Sequence, residues 1–242
     1  MKLIQRIHIN QQGRDFVVGD IHGCFRALDQ ALTHIGFNPS IDRLISVGDL
    51  IDRGPESSQV ADYLQKPWFY AVLGNHEHAL ITNAQGEYES WFLPLSAWLQ
   101  SQIREKLTKL PIVIELNNEK HRFGVIHAQA PNSAETWEQT KAMLNDEEGK
   151  YEMIWQRSRC RERQGCTGRV AGIDWIVCGH TPVELAKIVG NHLFIDTRFY
   201  EGVTGYADQS SLTLVDITHE KLHVIDWQDG QMKAESYRIF PI

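Results

Sequence analysis

The sequence of 242 residues contains only four cysteines, and their spacing resembles neither a disulfide framework nor a metal cluster. Cys24, Cys160, Cys166 and Cys178 include no Cys-x-x-Cys pair. Small secreted domains stapled by disulfides carry far more cysteines per residue. We therefore expect these cysteines to be reduced and mostly structural.

Long hydrophobic runs and an excess of positive charge are also missing. No window approaches the ~18 uncharged apolar residues of a membrane-spanning helix, and the first residues do not form the apolar core of a signal peptide. The formal net charge of -7 opposes binding to a polyphosphate backbone, although it does not exclude a small phosphorylated substrate. We expect a soluble, cytoplasmic protein with neither a nucleic-acid nor a membrane partner.

Internal repeats, low-complexity tracts and linkers rich in Pro, Gly or Ser are absent as well. With 42% apolar residues the chain can bury a sizeable core, so we expect a single domain over residues 1–242, with two small domains as the alternative. Apolar residues at mostly helical spacing, such as Trp91, Trp98 and Ile103, predict a helical insert around residues 87–110. Its aromatic side chains could pack in the core or wall a substrate cleft, and the sequence does not distinguish these interpretations.

What the chain does contain is a recurring short apolar run that ends in one polar residue. Runs of four or five residues rich in Val and Ile are typical of buried strands, and a glycine before the polar residue suits a sharp exit from a sheet. Apolar residues spaced as a helical stripe over residues 28–35 predict a helix between the first two strands. This alternation favours a layered α/β fold whose polar strand ends gather on one rim. The polar residues are Asp20, Asp49, Asn75, His127 and His180.

These side chains form a mixed carboxylate, amide and imidazole set, which is typical of transition-metal sites. Asp20 and His22 could converge on one ion if the chain turns after the strand, and Asp49 could bridge two ions through its two oxygens. Taken singly, an Asp after a strand more often caps a helix, and a buried His is more often simply hydrogen-bonded. Their conjunction indicates two sites of about three protein ligands each, with positions left for water and phosphate.

Three motifs carry a resemblance to a known family. Residues 19–23 (GDIHG), 48–54 (GDLIDRG) and 74–77 (GNHE) resemble the G-D-x-H-G, G-D-x-x-D-R-G and G-N-H-E signatures of the phosphoprotein phosphatases, which are calcineurin-like metallophosphoesterases. His127 and residues 179–181 match the two downstream histidines of that family. Within the family, residues 45–49, 67–69, 110–116 and 154–157 resemble the bacteriophage lambda and enterobacterial serine/threonine phosphatases. The resemblance implies a layered β-sandwich flanked by helices, with a dimetal site at the strand ends.

The resemblance also implies a role for each matched residue. His76 would be the general acid, with Asp52 accepting its other N–H, while Arg53 and Arg157 would hold the phosphate oxygens. Arg157 could instead be a solvated arginine in the charged stretch 157–163. The first metal ion would be held by Asp20, His22 and the bridging Asp49, and the second by Asp49, Asn75, His127 and His180.

Two divalent cations a few ångströms apart would generate a bridging hydroxide as the nucleophile, so no protein nucleophile is needed. The sequence indeed lacks a P-loop, a C-x5-R signature and a G-x-S-x-G motif. The ligand set favours Mn²⁺, with Fe, Zn and Mg as alternatives. The chain departs from the family at residues 128–130, at Arg198, where glycine is usual, and in a longer loop over residues 199–211.

We therefore expect a phosphomonoesterase acting on phosphoserine and phosphothreonine in proteins, and on phosphotyrosine as an extension of the same activity. A diadenosine-polyphosphate hydrolase on the same fold is the alternative, although its motifs commonly carry Ala and Asp where this chain has Asp52 and Glu77. A non-catalytic binding module is less favoured, because such modules tend to lose the catalytic histidine, and His76 is present.

Overall fold

The computed structural model describes residues 3–205, 210–228 and 231–238. Within these ranges the chain alternates strands and helices. The strands are β1 (Ile4–Arg6), β2 (Asp15–Val18), β3 (Arg43–Ser46), β4 (Phe69–Ala71), β5 (Val113–Asn117), β6 (Arg122–Ile126), β7 (Trp175–Cys178), β8 (Lys187–Val189), β9 (His192–Phe194), β10 (Ser211–Asp216), β11 (Lys221–Gln228) and β12 (Gln231–Arg238). The helices are α1 (Phe25–His34), α2 (Val60–Tyr63), α3 (Asn75–Thr82), α4 (Glu89–Phe92), α5 (Ala97–Leu107), α6 (Trp137–Ala142), α7 (Glu147–Trp155) and α8 (Phe199–Thr204). None of the helices in the described ranges is both long enough and apolar enough to cross a membrane.

The strands form two six-stranded sheets. One sheet has the order β1-β5-β6-β7-β9-β8, in which β6 is parallel to β7 and β7 is parallel to β9. The other has the order β12-β11-β10-β2-β3-β4, in which β2, β3 and β4 are parallel neighbours. The three C-terminal strands of this second sheet are antiparallel.

Alternation along the strands divides the apolar residues between two cores. Val17 and Ile45 point to the cluster between the sheets, where they meet Val125 and Val177 of the opposite sheet. Their sequence neighbours, such as Leu44, point to the other face and pack under the helices. The layered α/β sandwich predicted from the sequence is therefore confirmed.

The predicted helix over residues 28–35 is α1, and its apolar stripe is buried against the sheet. Residues 87–110 contain α4 and α5, which are separated by a turn. The predicted loop over residues 199–211 is wrong for its first part, because residues 199–204 form α8. Four positions of that segment, residues 206–209, lie outside the described residues.

The five polar residues at the ends of the apolar runs lie on one rim of the sandwich. Strands β2, β3 and β4 run in the same direction, so the segments that leave their carboxyl ends emerge side by side. The segments that leave β6 and β7 emerge together for the same reason. Each sheet thus brings its own set of polar side chains to a shared site.

Candidate metal and phosphate site

One group of side chains converges on the amide oxygen of Asn75, at the start of α3. His180 Nδ1 lies 2.7 Å and His127 Nε2 lies 3.0 Å from Asn75 Oδ1. His127 Nε2 also lies 3.3 Å from Asp49 Oδ1. The described part of the chain therefore brings four predicted ligands from two sheets into mutual contact.

Backbone carbonyl groups set the tautomers of the ligand histidines. His127 Nδ1 lies 2.7 Å from the carbonyl oxygen of Val47, and His180 Nε2 lies 2.9 Å from that of Trp155. A carbonyl oxygen only accepts, so each of these ring nitrogens carries the proton. The other nitrogen of each ring then directs a lone pair at Asn75 Oδ1.

Several electron-rich atoms with no hydrogen between them repel one another unless a cation lies among them. Burial, reinforced by the nearby His127, lowers the pKa of His180 to about 3, which keeps its ring neutral. Neutral imidazole, amide oxygen and carboxylate oxygen are the ligand types that borderline divalent cations accept. These residues fit a divalent metal ion by their donor chemistry.

A second group, His22 and His76, lies beside the other oxygen of Asp49, and Asp20 is near enough for the Asp49 charge to act on its pKa. His22 Nδ1 donates to the carbonyl oxygen of Ile51 at 2.9 Å, which leaves Nε2 unprotonated and 3.7 Å from Asp49 Oδ2. Asp20 accepts from the backbone N–H of His180 at 3.1 and 3.2 Å. Burial raises the pKa of Asp20 well above its usual range, and the neighbouring Asp196 and Asp49 carboxylates add to this shift. A buried carboxyl whose pKa is raised by other carboxylates lies where a cation would be stabilising.

His76 also lies beside Asp49, with Nε2 3.8 Å from Asp49 Oδ2, so distance alone would allow it to be a ligand. Its Nδ1 is hydrogen-bonded to Asp52 Oδ2 at 2.6 Å. Burial would lower the pKa of His76, but the Asp49 and Asp52 carboxylates outweigh burial and raise it to about 9. An imidazolium has no lone pair for a metal and can donate a proton from Nε2.

The two predicted phosphate-binding arginines differ in how they are held. Arg53 Nη1 contacts His22 Nε2 at 2.7 Å, and its guanidinium lies 4.6 Å from the centre of the Tyr200 ring. Arg157 lies close enough to Asp196, Asp49 and Asp20 for their charges to act on its pKa, although its guanidinium makes no direct hydrogen bond or ion pair within the described residues. Burial lowers the pKa of Arg157 below its usual value.

The backbone at the site is held in an unfavourable conformation. A positive φ costs a non-glycine residue roughly 1–3 kcal/mol, and such strain persists only where the surrounding structure enforces it. A Cβ at Gly179 would overlap Asp20 Oδ1, so this glycine permits a close approach as well as a sharp turn. The site residues with positive φ are His22, Asp49, Asp52, Arg53 and His180.

Glu77 has a structural part in the site that the sequence reasoning missed. Its carboxylate is fully buried and accepts backbone N–H groups of Gly74 at 3.0 Å, Asp49 at 2.9 Å and Leu50 at 2.8 Å. Glu77 therefore ties the start of α3 to the turn that presents Asp49. An acidic residue three positions after a helix N-cap is the sequence signal that could have identified it.

Trp91 and Tyr200 also reach the site and were not predicted to do so individually. Trp91 Nε1 donates to Asp52 Oδ1 at 2.6 Å, and the Tyr200 ring lies edge-on to His22 with a centroid distance of 4.8 Å. Both residues come from segments far along the chain from their partners. No local pattern in the sequence reports such contacts.

Comparison with known proteins identifies the family. A profile of the calcineurin-like phosphoesterases matches residues 16–184. The chain is 33% identical over 205 residues to serine/threonine-protein phosphatase 2 of Escherichia coli. The alignment covers 80% of this chain and 91% of that protein. A bis(5'-nucleosyl)-tetraphosphatase of Oceanobacillus iheyensis is 26% identical over 215 residues, covering 75% of this chain and 82% of that protein.

Among solved structures, a protein serine/threonine phosphatase from Saccharomyces cerevisiae superposes with a TM-score of 0.64 at 17% identity, covering 100% of this chain and 85% of that one. At this identity the likeness concerns the fold alone. The sequence relatives confirm the resemblance to the enterobacterial serine/threonine phosphatases. The chain therefore belongs to the calcineurin-like phosphoesterases, a family of metal-dependent enzymes that hydrolyse phosphate esters.

Proposed function

We propose that this phosphoesterase is a protein phosphatase that hydrolyses phosphoserine and phosphothreonine, and also phosphotyrosine. The observation that carries the proposal is the 2.6 Å hydrogen bond between His76 and Asp52, placed beside the candidate metal ligand Asp49. This pair is suited to protonating a poor leaving group, which is what a serine or threonine alkoxide is. The enterobacterial relatives named serine/threonine-protein phosphatase support the same substrate class.

The metal ligands of the proposed enzyme are the residues that converge at the rim. One divalent cation would be held by Asp20, His22 and Asp49, and the other by Asp49, Asn75, His127 and His180. Two carboxylates, an amide oxygen and three imidazoles form a borderline-hard set, so we propose Mn²⁺, with Fe, Zn and Mg as alternatives. When bound, the cations supply an activated water as the nucleophile and neutralise charge on the phosphate.

The residues around the cations bind the phosphate and release the product. Arg53 and Arg157 hold phosphate oxygens, for which a planar guanidinium with several N–H donors is suited. The N–H at His76 Nε2 donates its proton to the departing oxygen, while Asp52 keeps the ring oriented and favours its charged form. Ligands come from both sheets, which share one core between them, and this supports a single domain over residues 1–242.

A dinucleotide polyphosphate is the second candidate substrate, because a bis(5'-nucleosyl)-tetraphosphatase also resembles this chain. A nucleoside phosphate leaving group is far less basic than an alkoxide and departs with little protonation. A site built for that reaction has little need of a buried carboxylate on its histidine. The buried Asp52, which is 1% exposed, therefore favours the protein phosphatase over the dinucleotide hydrolase.

The test compares phosphoserine and phosphothreonine peptides with diadenosine tetraphosphate in the presence of Mn²⁺. We expect kcat/KM for the peptides to be well above that for the dinucleotide, and Asp52→Ala to narrow the gap. A tenfold or greater preference of the wild-type enzyme for the dinucleotide would overturn the substrate assignment while leaving the metal site in place.

A further inference from the structure

One side chain of helix α4, that of Trp91, contacts Asp52, the residue that is hydrogen-bonded to the candidate general acid His76. Trp91 is half-buried and packs against the hydrophobic core, with its ring 5.6 Å from that of Phe92. Trp91 also lines a cleft of about 440 Å³ together with Arg53 and Glu87. The indole thus lies between the core and a cleft that Arg53 also lines.

The indole nitrogen has a specific partner there. Trp91 Nε1 donates to Asp52 Oδ1 at 2.6 Å, while the other carboxylate oxygen of Asp52 meets His76 Nδ1 at 2.6 Å. An indole N–H is a donor only, so this contact holds Asp52 in the role of acceptor. The carboxylate is planar, and fixing one oxygen fixes the direction in which the other faces His76.

Asp52 has little freedom to replace this contact with water. The residue is 1% exposed and has a positive φ of 69°. A buried carboxylate oxygen that loses its donor is strongly destabilised and rotates or shifts towards another partner. Rotation of Asp52 would move the ring of His76, whose Nε2 must face the departing oxygen.

We propose that Trp91 is a positioning residue for the leaving-group step, acting on His76 through Asp52. This inference rests on the proposed function, because it concerns the proton that a phosphate monoester needs for its leaving oxygen. Helix α4 is then part of the catalytic apparatus rather than only a cover for the core. The contribution of Trp91 should grow with the basicity of the leaving group.

The experiment measures kcat and KM of wild type and Trp91→Phe for a series of phosphate monoesters from 4-nitrophenyl phosphate to an alkyl phosphate. We expect kcat of Trp91→Phe to fall about tenfold for the alkyl ester and less than about twofold for 4-nitrophenyl phosphate, with KM and metal content unchanged. Trp98→Phe is the matched control, because Trp98 is 71% exposed and lies on the neighbouring helix α5. It should follow wild type throughout the series.

A purely structural role for Trp91 would reduce turnover of all esters by the same factor, and that result would overturn the inference. In an Asp52→Ala background, Trp91→Phe should cause no further change in leaving-group dependence, whereas an additive effect would contradict the chain of contacts. If Trp91→Phe fails to fold, β-(3-benzothienyl)alanine at position 91 removes the N–H and keeps the ring shape. The same leaving-group dependence is expected, and wild-type behaviour would overturn the inference.

Failure of the proposed function gives a different result. A wild-type enzyme that does not hydrolyse any phosphate monoester in the series contradicts the phosphatase assignment. A wild-type enzyme that hydrolyses all of them, together with a Trp91→Phe variant that matches it, contradicts only the role of Trp91.

Discussion

The two ends of strands β2 and β3 carry buried aspartates in opposite chemical settings. Asp15 and Asp42 lie at the amino ends, and Asp20 and Asp49 follow the carboxyl ends. All four are 2% exposed. Burial therefore does not distinguish them, and the difference lies in what faces each carboxylate.

At the amino ends each carboxylate has an arginine. Arg43 binds both oxygens of Asp15 at 2.7 Å, and Arg14 Nη2 lies 2.6 Å from Asp42 Oδ2. Burial would raise the pKa of Asp42, but the Arg14 guanidinium and nearby backbone N–H groups outweigh it and lower the pKa. Ion pairs of this kind stabilise the folded state.

At the carboxyl ends the aspartates lie close to each other and to histidine rings instead. Burial and acidic neighbours raise the pKa of Asp20, whereas at Asp49 the nearby histidines outweigh burial and lower the pKa. A buried carboxyl with a raised pKa, such as Asp20, is typical of a binding or catalytic site, where it usually lowers the stability of the fold. The comparison predicts that substitutions at the carboxyl ends mainly lower activity, and that substitutions at the amino ends mainly lower stability.

The largest effect is expected for Asp49→Asn, which removes the carboxylate shared by both metal groups. We expect kcat/KM to fall by at least roughly 10³-fold, since a metal site contributes several kcal/mol to transition-state stabilisation. Metal content should fall, and the unfolding midpoint of the metal-free protein should fall modestly, because the histidines around Asp49 outweigh the cost of burial and lower the pKa of its carboxyl. Metal analysis and thermal denaturation measure these two quantities.

Removal of metal from the wild type tests the same end of the strands without a mutation. Exhaustive chelation should abolish phosphatase activity, and Mn²⁺ should restore it. Full turnover by a preparation shown to be free of metal would refute the dimetal mechanism.

His76→Asn is expected to lower kcat by about 10²–10⁴-fold, the usual range for a lost general acid, with metal content near normal. The loss should be smaller for an aryl phosphate than for an alkyl phosphate. His78→Asn is the control on the same helix, because His78 lines a separate groove with Ile154 and Trp155. An equal loss for both esters would mean that His76 has another role.

Arg157→Ala tests the arginine whose guanidinium makes no direct contact within the described residues. Loss of a charge-assisted hydrogen bond to phosphate should raise KM and lower kcat/KM by about 10–100-fold. Arg161→Ala, a change at a neighbouring exposed arginine, should leave both values unchanged. Unchanged kinetics in Arg157→Ala would favour the solvated-arginine interpretation.

The smallest effect on catalysis is expected at the amino ends. Asp42→Asn should leave kcat/KM unchanged and lower the free energy of unfolding by about 1–2 kcal/mol at neutral pH. Because the folded-state pKa of Asp42 is lowered, its contribution is present above the unfolded pKa of about 3.9 and is lost as pH falls through the folded-state value. Urea denaturation of both proteins between pH 3 and 7 should therefore show the difference shrinking at low pH, whereas a constant difference would contradict this account.

Much of the fold was predictable from short-range patterns. The apolar runs before Asp20, Asp49 and His127 lie on strands β2, β3 and β6, and the apolar stripe over residues 28–35 lies on α1. The exception is the predicted loop over residues 199–211, where helix α8 forms. Its segment has no strong apolar periodicity, and α8 packs against β10 and β11 once the sheet is in place.

The residues of the candidate site were predictable as a set, but their mutual arrangement was not. The motifs name His76 and Asp52, yet nothing near them in the sequence indicates that Trp91 donates to Asp52. In the same way, the sequence shows Glu77 as part of a motif but does not show which backbone N–H groups its carboxylate accepts. The carbonyl groups of Val47 and Trp155 that set the histidine tautomers carry no sequence signal, because every residue has a carbonyl group.

The sequence by itself determined which segments become buried strands, and so which polar side chains stand at their ends, because hydrophobic alternation and turn residues act over a few positions. The tertiary structure alone decided which buried aspartates meet arginines and which meet imidazoles. Asp15 and Asp20 are five residues apart on the same segment, and their partners come from elsewhere in the chain. Those partners are brought to them only when strands and sheets pack, and it is that packing which makes one end of the strands an ion-paired support and the other a candidate metal site.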